Sequence, residues 1–252
     1  MSVLSIANHK GGVGKTTTTV NLAAGLARLG HKVLMIDLDP QANATFSLGL
    51  KKQEMSIFQV LAYQDDIRKI IQPVANFFLA PSSIHLAGFE KNSEVGKEFI
   101  LQESLLTIRD EYDYILIDCP PSLGVLTVSA LTASHFAIIA LQPEFLALQG
   151  MNDFIKILRT VKTRMNNELE LLGILITQFD HRKVLHRDIS QHAEEHYGEM
   201  VLSTKIRGNV ALAESQSMGK DIFAYDPNSN GAEDYLALAN EVVKRVAAEY
   251  AV

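Results

Sequence analysis

Residues 8–17 read Asn-His-Lys-Gly-Gly-Val-Gly-Lys-Thr-Thr, and this stretch decides the fold. It follows a short apolar run, Val3 to Ala7, and it precedes a helical pattern from Thr17 to Leu29. A strand, a glycine-rich turn and a helix in this order are typical of a phosphate-binding loop, because the helix directs its positive end at the anion. The sequence therefore predicts a P-loop.

The residues of this loop divide by their chemistry. Backbone N–H groups from Gly11 to Thr16 are placed to surround a diphosphate, and the glycines permit its close approach. Lys15 supplies a positive charge to the β- and γ-phosphates, and the Thr16 hydroxyl is placed to ligate Mg²⁺. The predicted nucleotide-binding residues of the loop are Gly11, Gly12, Val13, Gly14, Lys15, Thr16 and Thr17.

The loop departs from the common pattern G-x-x-x-x-G-K-[ST] at its first position, where His9 replaces glycine. A second lysine, Lys10, lies five residues before Lys15. Two lysines give this loop more positive charge than the phosphates of one nucleotide usually receive. We therefore expect Lys10 to reach a nucleotide held by a second copy of the chain; the alternative is a solvated loop lysine.

Carboxylates follow two predicted strands, Lys32–Ile36 and Tyr114–Ile117. Asp118 is placed to hold the Mg²⁺ shell opposite Thr16, with a turn-capping role as the alternative. Asp37 and Asp39 flank Leu38 at the end of a strand, and we assign them different roles. One of them can join the water shell of the metal, and the other can orient or deprotonate the attacking water. For Asp37, a metal role and a buried structural role both stay open.

Apolar runs of strand length alternate with segments of helical period along the whole chain. The further predicted strands are Phe77–Ala80, Phe136–Leu141 and Leu171–Thr177, with weaker candidates at Val201–Ile206 and Ile222–Tyr225. Near-continuous apolar strands separated by helices indicate a parallel sheet, and ligands of such folds bind at the carboxyl ends of the strands. The predicted fold is α/β: a single-domain P-loop NTPase over residues 1–252, with a twisted, mostly parallel sheet covered by helices on both faces.

Composition narrows the class of protein further. The chain has 252 residues, 47% of them hydrophobic and 21% charged, as in ordinary globular proteins. Its single cysteine, Cys119, excludes an internal disulfide and cannot supply two iron–sulfur ligands, so we expect a cytoplasmic protein without a signal peptide. Because the net charge is −6, any contact with nucleic acid requires a local basic patch.

Three motifs resemble those of one known family. Lys10–Thr17 (KGGVGKTT), Val33–Thr45 (VLMIDLDPQANAT) and Tyr114–Ser122 (YILIDCPPS) are similar to the ParA/Soj family of partition ATPases, within the deviant Walker A group that also includes MinD. The resemblance continues through Leu126–Ala133, Asn209-Val210 and Tyr225–Pro227. It covers essentially the whole chain.

This resemblance implies a slow, Mg²⁺-dependent ATPase that forms a nucleotide-sandwich homodimer with ATP. It implies that Lys10 acts across the dimer, that Asp39 positions the attacking water, and that Pro143, Glu144 and the segment near Asn209 approach the base or the dimer seam. In this family the ATP-bound dimer binds DNA without sequence preference. A ParB-like or cargo-adaptor protein stimulates hydrolysis and thereby releases the dimer from the nucleoid. The cargo, whether plasmid, chromosome or protein cluster, stays open.

The resemblance breaks at one place that concerns DNA. The family reads roughly Pro-Arg-Asn-Val-Arg-Leu-Ser-Glu where this chain has Arg-Gly-Asn-Val-Ala-Leu-Ala-Glu at 207–214, so Gly208 and Ala211 replace two arginines. Other basic residues therefore have to supply the contacts with phosphate. The predicted DNA-binding residues are Arg182, Lys183, Arg187, Lys205, Arg207 and Lys220.

Two rival functions share this fold. A MinD-like, membrane-associated positioning ATPase usually needs a terminal amphipathic helix with bulky apolar and basic faces. The last residues here, Val246–Val252, are small and include Glu249, so we expect the helix at about 232–250 to pack on the domain and membrane binding to be absent. An amide-forming enzyme of biotin or cobalamin synthesis would activate a carboxylate with ATP, but its loop normally lacks the paired lysine.

Overall fold

Strands and helices alternate through the chain and build one sheet with helices on both sides. The computed structural model describes residues 1–51, 53–91, 95–145 and 147–251. The predicted domain, 1–252, also includes positions 52, 92–94, 146 and 252, which lie outside the described residues.

The strands agree closely with the apolar runs of the sequence. They are β1 Ser2–Ala7, β2 Val33–Asp37, β3 Gln72–Val74, β4 Phe77–Ala80, β5 Tyr114–Asp118, β6 Phe136–Leu141, β7 Glu170–Phe179 and β8 Val201–Arg207. The helices are α1 Lys15–Arg28, α2 Asn43–Ser47, α3 Ile57–Tyr63, α4 Leu86–Lys91, α5 Ile100–Leu106, α6 Val125–Thr132, α7 Ala147–Arg164, α8 Val184–Tyr197, α9 Val210–Ser217, α10 Ile222–Tyr225 and α11 Asn230–Glu249.

The order of strands across the sheet is β3-β4-β2-β5-β1-β6-β7-β8. Every neighbouring pair is parallel except β3 and β4, which are antiparallel. Strand β1 lies between β5 and β6, with Ile6 beside both Asp118 and Ile138. The loops that follow β1, β2 and β5 therefore meet at one edge of the sheet, which confirms the mostly parallel arrangement expected from the sequence.

Two apolar layers cover the sheet because successive strand residues point to opposite faces. Leu34 and Ile36 of β2 belong to one layer, while Val33 and Met35 belong to the other. Helices α3 to α8 cover the first face, and α1, α10 and α11 cover the second. Both faces of the parallel strands are thus dry, as the uninterrupted apolar runs indicated.

Strand β8 is the last strand of the sheet, and side chains of α11 bond to its main chain. The N–H groups of Ser203 and Thr204 each donate to a carboxylate oxygen of Glu241, at 2.8 Å. The N–H of Arg207 donates to Asp234 Oδ2, also at 2.8 Å. These bonds fix α11 along β8, whose only strand neighbour among the described residues is β7.

One predicted strand is wrong. Residues Ile222–Tyr225 form the short helix α10, because Asp221 caps it: Asp221 Oδ1 accepts hydrogen bonds from the N–H groups of Phe223 and Ala224. The sequence also gave no sign of β3, a three-residue strand that contains Pro73. Proline is tolerated there because β3 is the outermost strand beyond β4.

The predicted C-terminal helix is present as α11. Its apolar side, with Tyr235, Leu238, Val242 and Val246, is buried against the domain. Over the described ranges, no helix combines the length and apolar character that crossing a membrane requires.

Candidate nucleotide site

A cavity of about 650 Å³ opens at the carboxyl ends of the central strands. The P-loop between β1 and α1 forms its floor, and its walls are formed by the segments that follow β2 and β5, by the end of β7 and by α9. Its lining residues are Gly11, Gly12, Gly14, Lys15, Thr16, Thr17, Asp39, Asn43, Phe46, Ser47, Pro121, Gln178, Gln216 and Ser217. Most residues of the predicted loop set thus face one space.

The backbone of the loop has the shape that an anion requires. Gly12 and Gly14 have φ angles of 75° and 86°, a left-handed region that other residues enter only with strain. Left-handed glycines of this kind allow successive N–H groups of a loop to converge on an anion. Helix α1 begins at Lys15, so its N-terminus lies at the cavity. Val13 is buried beneath the loop, where its carbonyl accepts a hydrogen bond from Thr177 Oγ1 at 2.7 Å.

Lys15 is almost fully buried, at 7% exposure, yet it is one of the residues that line the cavity. Its Nζ donates to the main-chain carbonyl of Lys10 at 3.0 Å rather than to a carboxylate. Burial lowers the pKa of Lys15, and the negative charge of Asp118 acts in the opposite direction. An anion in the cavity would favour the charged form of Lys15, as in a phosphate-binding pocket.

The two predicted metal ligands Thr16 and Asp118 are in direct contact. Thr16 Oγ1 donates to Asp118 Oδ2 at 2.7 Å, and Thr19 Oγ1 donates to Asp118 Oδ1 at 3.2 Å. Asp118 is fully buried, and its pKa is raised first by burial and then by the charge of Asp37. A bound cation would favour the carboxylate form.

The oxygen set fits Mg²⁺ rather than a softer metal. In the part of the chain that the structure describes, no group of three His, Cys, Asp or Glu residues could hold a metal ion. Mg²⁺ usually takes one or two protein oxygens and completes its octahedron with waters and phosphate oxygens. The hydroxyl and carboxylate at the base of the phosphate loop supply that kind of partial shell.

Asp37 is held by its own loop. Its Oδ2 accepts hydrogen bonds from the N–H and the hydroxyl of Thr45, at 2.9 and 2.7 Å, and its Oδ1 accepts one from the N–H of Asp39 at 3.1 Å. The side chain is fully buried, and burial raises its pKa while the bonds from Thr45 oppose that shift. These bonds favour the structural alternative, in which Asp37 shapes the loop that carries Asp39; its metal role stays a prediction.

Asp39 lies on the wall of the cavity. Its Oδ1 accepts a hydrogen bond from the N–H of Gln41 at 2.9 Å, and its carbonyl accepts one from Ser82 Oγ at 2.6 Å. Within the described residues, no group donates to its Oδ2. The carboxylate is therefore fixed in position with one oxygen available to a water molecule.

Lys10 points elsewhere, although it belongs to the same loop. Its ammonium donates to Glu144 Oε2 at 2.5 Å, and its side chain is 40% exposed. Its main-chain N–H donates to Asn8 Oδ1 at 3.1 Å. Lys10 is absent from the described lining of the cavity, whereas Lys15 is part of it.

A second cavity of about 250 Å³ shares Gly14, Thr17, Gln178 and Gln216 with the first. Asn209 lies on its wall, although its Oδ1 also caps α9 by accepting from the N–H of Ala211. The two adjoining spaces suit the phosphates and the base of one nucleotide. Pro143 does not occur among the described lining residues of either cavity, so the structure does not bring it to the candidate site.

Several lining residues were missed because no motif marks them. Gln178, the second-last residue of β7, adopts a φ of 52° and donates from Nε2 to the carbonyl of Gly12 at 2.7 Å. Gln216 in α9 donates from Nε2 to Thr17 Oγ1 at 2.8 Å. The other missed residues are Asn43, Phe46, Ser47, Pro121 and Ser217. The one feature of the sequence that could have indicated them is their position, since most of them follow soon after a strand or after the acidic motif Asp37–Asp39.

Half of the predicted DNA-binding residues are engaged in ion pairs. Arg182 pairs with Asp180 at 3.0 Å, and Lys205 pairs with Glu194 at 2.7 Å. The guanidinium of Arg207 contacts Asp234 at 2.6 Å and Glu233 at 2.5 Å.

The other three residues of that set are exposed and lie in no ion pair of the described residues: Lys183, Arg187 and Lys220. Arg187 donates to the main-chain carbonyl of His181 at 2.7 Å, a contact that leaves its charge uncompensated. The charge available to phosphate therefore differs from one predicted residue to the next.

The fold and the site together define an ATPase-type P-loop protein, and comparison with known proteins narrows this class. Residues 1–171 match the family model described as an AAA domain. Soj of Bacillus subtilis, a sporulation initiation inhibitor protein, is 43% identical over 246 residues, which are 95% of this chain and 97% of that protein. The chromosome-partitioning ATPase Soj of Thermus thermophilus is 43% identical over 244 residues, covering 96% of each chain.

The chain belongs to the Soj/ParA family of partition ATPases. This confirms the resemblance expected from the three motifs, and it makes the protein a member of an ATPase family whose cofactors are ATP or ADP and Mg²⁺. A similar solved structure is cobyrinic acid a,c-diamide synthase of Mycobacterium smegmatis with ADP and magnesium bound. Its TM-score is 0.84 at 36% identity, and the match covers 95% of this chain and 93% of that one.

Proposed function

We propose that this protein is an ATP-driven switch that pairs into a homodimer, binds DNA without sequence preference and positions or partitions a cargo. Membership in the Soj/ParA family supports partitioning in general. The proposals on pairing, hydrolysis and DNA binding are supported by the geometry of the nucleotide site and by the surface of the protein around it. We treat residues 1–252 as one ATPase domain.

The observation that carries this proposal is the separation of the two lysines. Lys15 is buried and faces the cavity of its own chain, whereas Lys10 is part-exposed and lies outside the described lining. A second copy closing over the cavity would bring its own Lys10 to the phosphates. Charge supplied in this way is worth about 10³- to 10⁵-fold in the rate of phosphoryl transfer in related switches.

The surface around the cavity supports pairing with a second copy. Large apolar side chains are exposed beside the site, although such residues are usually buried. Phe46 lies on the cavity wall, and Met218 directly follows the lining residues Gln216 and Ser217. A partner that excluded water from these side chains would stabilise the closed state.

The residues of the site have distinct proposed roles in hydrolysis. The glycine N–H groups and Lys15 hold the phosphates, and Thr16 with Asp118 offers oxygens to Mg²⁺, with Asp37 holding the adjacent loop. Mg²⁺, when bound, neutralises charge on the β- and γ-phosphate oxygens. Asp39 accepts a hydrogen bond from the attacking water and so orients it. Asn209 and the second cavity take the base, and intrinsic turnover is slow because Lys10 arrives only with the dimer.

For DNA binding we propose the three basic residues that lack a carboxylate partner, Lys183, Arg187 and Lys220. Charges already paired with a carboxylate gain less from a phosphate, because the existing ion pair has to break. A dimer would present six such charges, so log Kd should change with log salt concentration by a slope of about 5. The resulting complex is nucleoid-associated in the ATP state and is released when a ParB-like or cargo-adaptor protein stimulates hydrolysis.

The two rival functions receive less support. Membrane association of the MinD type would use an unpacked amphipathic terminus, but the apolar side of α11 is buried on the domain. Glutamine-dependent amide synthesis requires a nucleophilic thiolate when the enzyme itself releases ammonia. The single cysteine, Cys119, is buried, and burial raises the pKa of its thiol, which disfavours that chemistry.

The test is sedimentation velocity and DNA titration on one preparation, with ATP, a non-hydrolysable ATP analogue, ADP or no nucleotide. We expect a dimer and DNA binding only with the triphosphates and Mg²⁺. Lys10→Ala should abolish hydrolysis while ATP still binds; unchanged turnover in that variant would refute its action across the dimer. Binding of ATP-loaded protein to anionic liposomes, without binding to DNA at low salt, would favour the membrane alternative.

A further inference from the structure

The segment that precedes the P-loop glycines is docked on the segment that follows β6. Asn8 Nδ2 donates to the carbonyl of Ala140 at 2.6 Å. The imidazole of His9 lies against Gly150 in α7, where a Cβ would be only 2.4 Å from the ring atom Cε1. The main chain around Lys10 is thus held in place, and only its side chain is free to reorient.

That side chain ends in an ion pair with Glu144. The Nζ–Oε2 distance is 2.5 Å, and the two side chains are 40% and 46% exposed. The hydrogen bond from Lys10 and its charge lower the pKa of Glu144. Because water reaches both partners, the pair is able to open and close without any change in the core.

The geometry sets up a competition. An ammonium that donates to Glu144 in its own chain has to leave that carboxylate before it reaches the phosphate of a second copy. Because this ion pair has to open before Lys10 can act in a dimer, the ion pair favours the monomer.

We propose that Glu144 is a positioning residue that retains Lys10 within its own chain and thereby raises the nucleotide-bound protein concentration needed for pairing. This inference rests on the proposed function, in which Lys10 acts across the dimer. Exposed ion pairs typically change an equilibrium by up to about fivefold. Two pairs open when one dimer forms, so removing both should raise the association constant by up to about 25-fold.

The first test compares Glu144→Gln with the wild type in a direct assay of the pair. An amine-reactive reagent is applied briefly to nucleotide-free protein, and labelling of each lysine is measured by mass spectrometry. We expect Lys10 to label several-fold faster in Glu144→Gln, because the carboxylate no longer shields the amine, while labelling of Lys162 is unchanged. Equal labelling of Lys10 in the two proteins would overturn the proposal.

The second test measures dimerisation by sedimentation velocity across a concentration series with a non-hydrolysable ATP analogue and Mg²⁺. The matched control is Glu170→Gln, since Glu170 forms a part-exposed ion pair with Lys162 at the opposite end of the sheet. We expect Glu144→Gln to pair at lower concentration, Glu144→Asp to resemble the wild type, and Glu170→Gln to leave the association constant unchanged.

Each outcome of this second test separates the two proposals. If the wild type pairs and Glu144→Gln pairs no better than Glu170→Gln, retention by Glu144 is wrong while the dimer stands. Weaker pairing of Glu144→Gln would show that Glu144 supports the closed state, which also overturns the proposal. If no variant pairs at any concentration, the proposed function itself fails, whatever the labelling of Lys10 shows.

Discussion

Replacing Arg207 by alanine should damage the stability of the fold and leave DNA binding intact, although Arg207 is one of the residues predicted to bind DNA. Its Nε and terminal nitrogen bond to both carboxylate oxygens of Asp234, at 2.6 to 3.0 Å, and the terminal nitrogen also contacts Glu233. The Asp234 side chain is 9% exposed, so the variant would leave a nearly buried carboxylate with only one main-chain donor.

The size of the effect follows from burial. Removing one partner of a fully buried ion pair costs about 3–5 kcal/mol, whereas exposed pairs contribute about 1 kcal/mol or less. The Arg207 side chain is 38% exposed, which places the loss near 2 kcal/mol. For a domain of this length, that free energy lowers Tm by about 4–8 °C.

The assay is thermal unfolding followed by circular dichroism, with DNA titration of the same variant well below its Tm. Arg187→Ala is the control, because Arg187 is exposed and, within the described residues, its guanidinium bonds to the carbonyl of His181 and to no carboxylate. We expect that control to retain its Tm and to reduce the salt slope of DNA binding by about 2 per dimer. Two outcomes would refute the reasoning. One is a Tm of Arg207→Ala within roughly 1 °C of the wild type, and the other is a reduced salt slope of DNA binding in that variant.

Three further outcomes are expected. Asp39→Ala should accumulate as an ATP-bound dimer on size-exclusion chromatography, since water is no longer oriented; a monomer with ATP would remove this assignment. Gly150→Ala should lower stability by about 1–3 kcal/mol because the new methyl group displaces the His9 ring, and in a His9→Ala background the same change should be neutral or stabilising; denaturant unfolding of the four proteins decides. Burial lowers the pKa of His135, whose Nδ1 accepts a hydrogen bond from the N–H of Val3. As the pH decreases through about 6.5, the unfolded chain therefore takes up a proton before the folded protein does, and the free energy of unfolding falls. When the pH falls from roughly 7.5 to 5.5, across the usual pKa of histidine, the Tm of His135→Asn should fall less than that of the wild type. Equal falls in Tm would contradict the role of His135.

The sequence predicted most strands and the phosphate loop because both depend on local patterns. Seven apolar runs were recognisable as strands, and Gly12 and Gly14, which precede Lys15, have the left-handed angles that a P-loop needs. The error at Ile222–Tyr225 has a local cause as well: four apolar residues look like a strand unless the cap at Asp221 is recognised.

The contacts that decide the roles of the functional residues could not be predicted from the sequence, because they join residues far apart in the chain. Nothing in the sequence pairs Lys10 with Glu144, or places Gln178 and Gln216 at the phosphate loop. The ion pair of Arg207 with α11 likewise depends on how β8 packs, and it changes which of the predicted DNA-binding residues remain without a carboxylate partner.

The carboxylates of α11 that bond to β8 also protect the margin of the sheet. A terminal strand with unsatisfied N–H groups invites a foreign strand to add to it and so to aggregate. Here Glu241 and Asp234 occupy three of those donors, and at the other margin β3 is three residues long and contains Pro73. Under the proposed function, pairing with a second copy is thereby kept separate from uncontrolled growth through β-sheet extension.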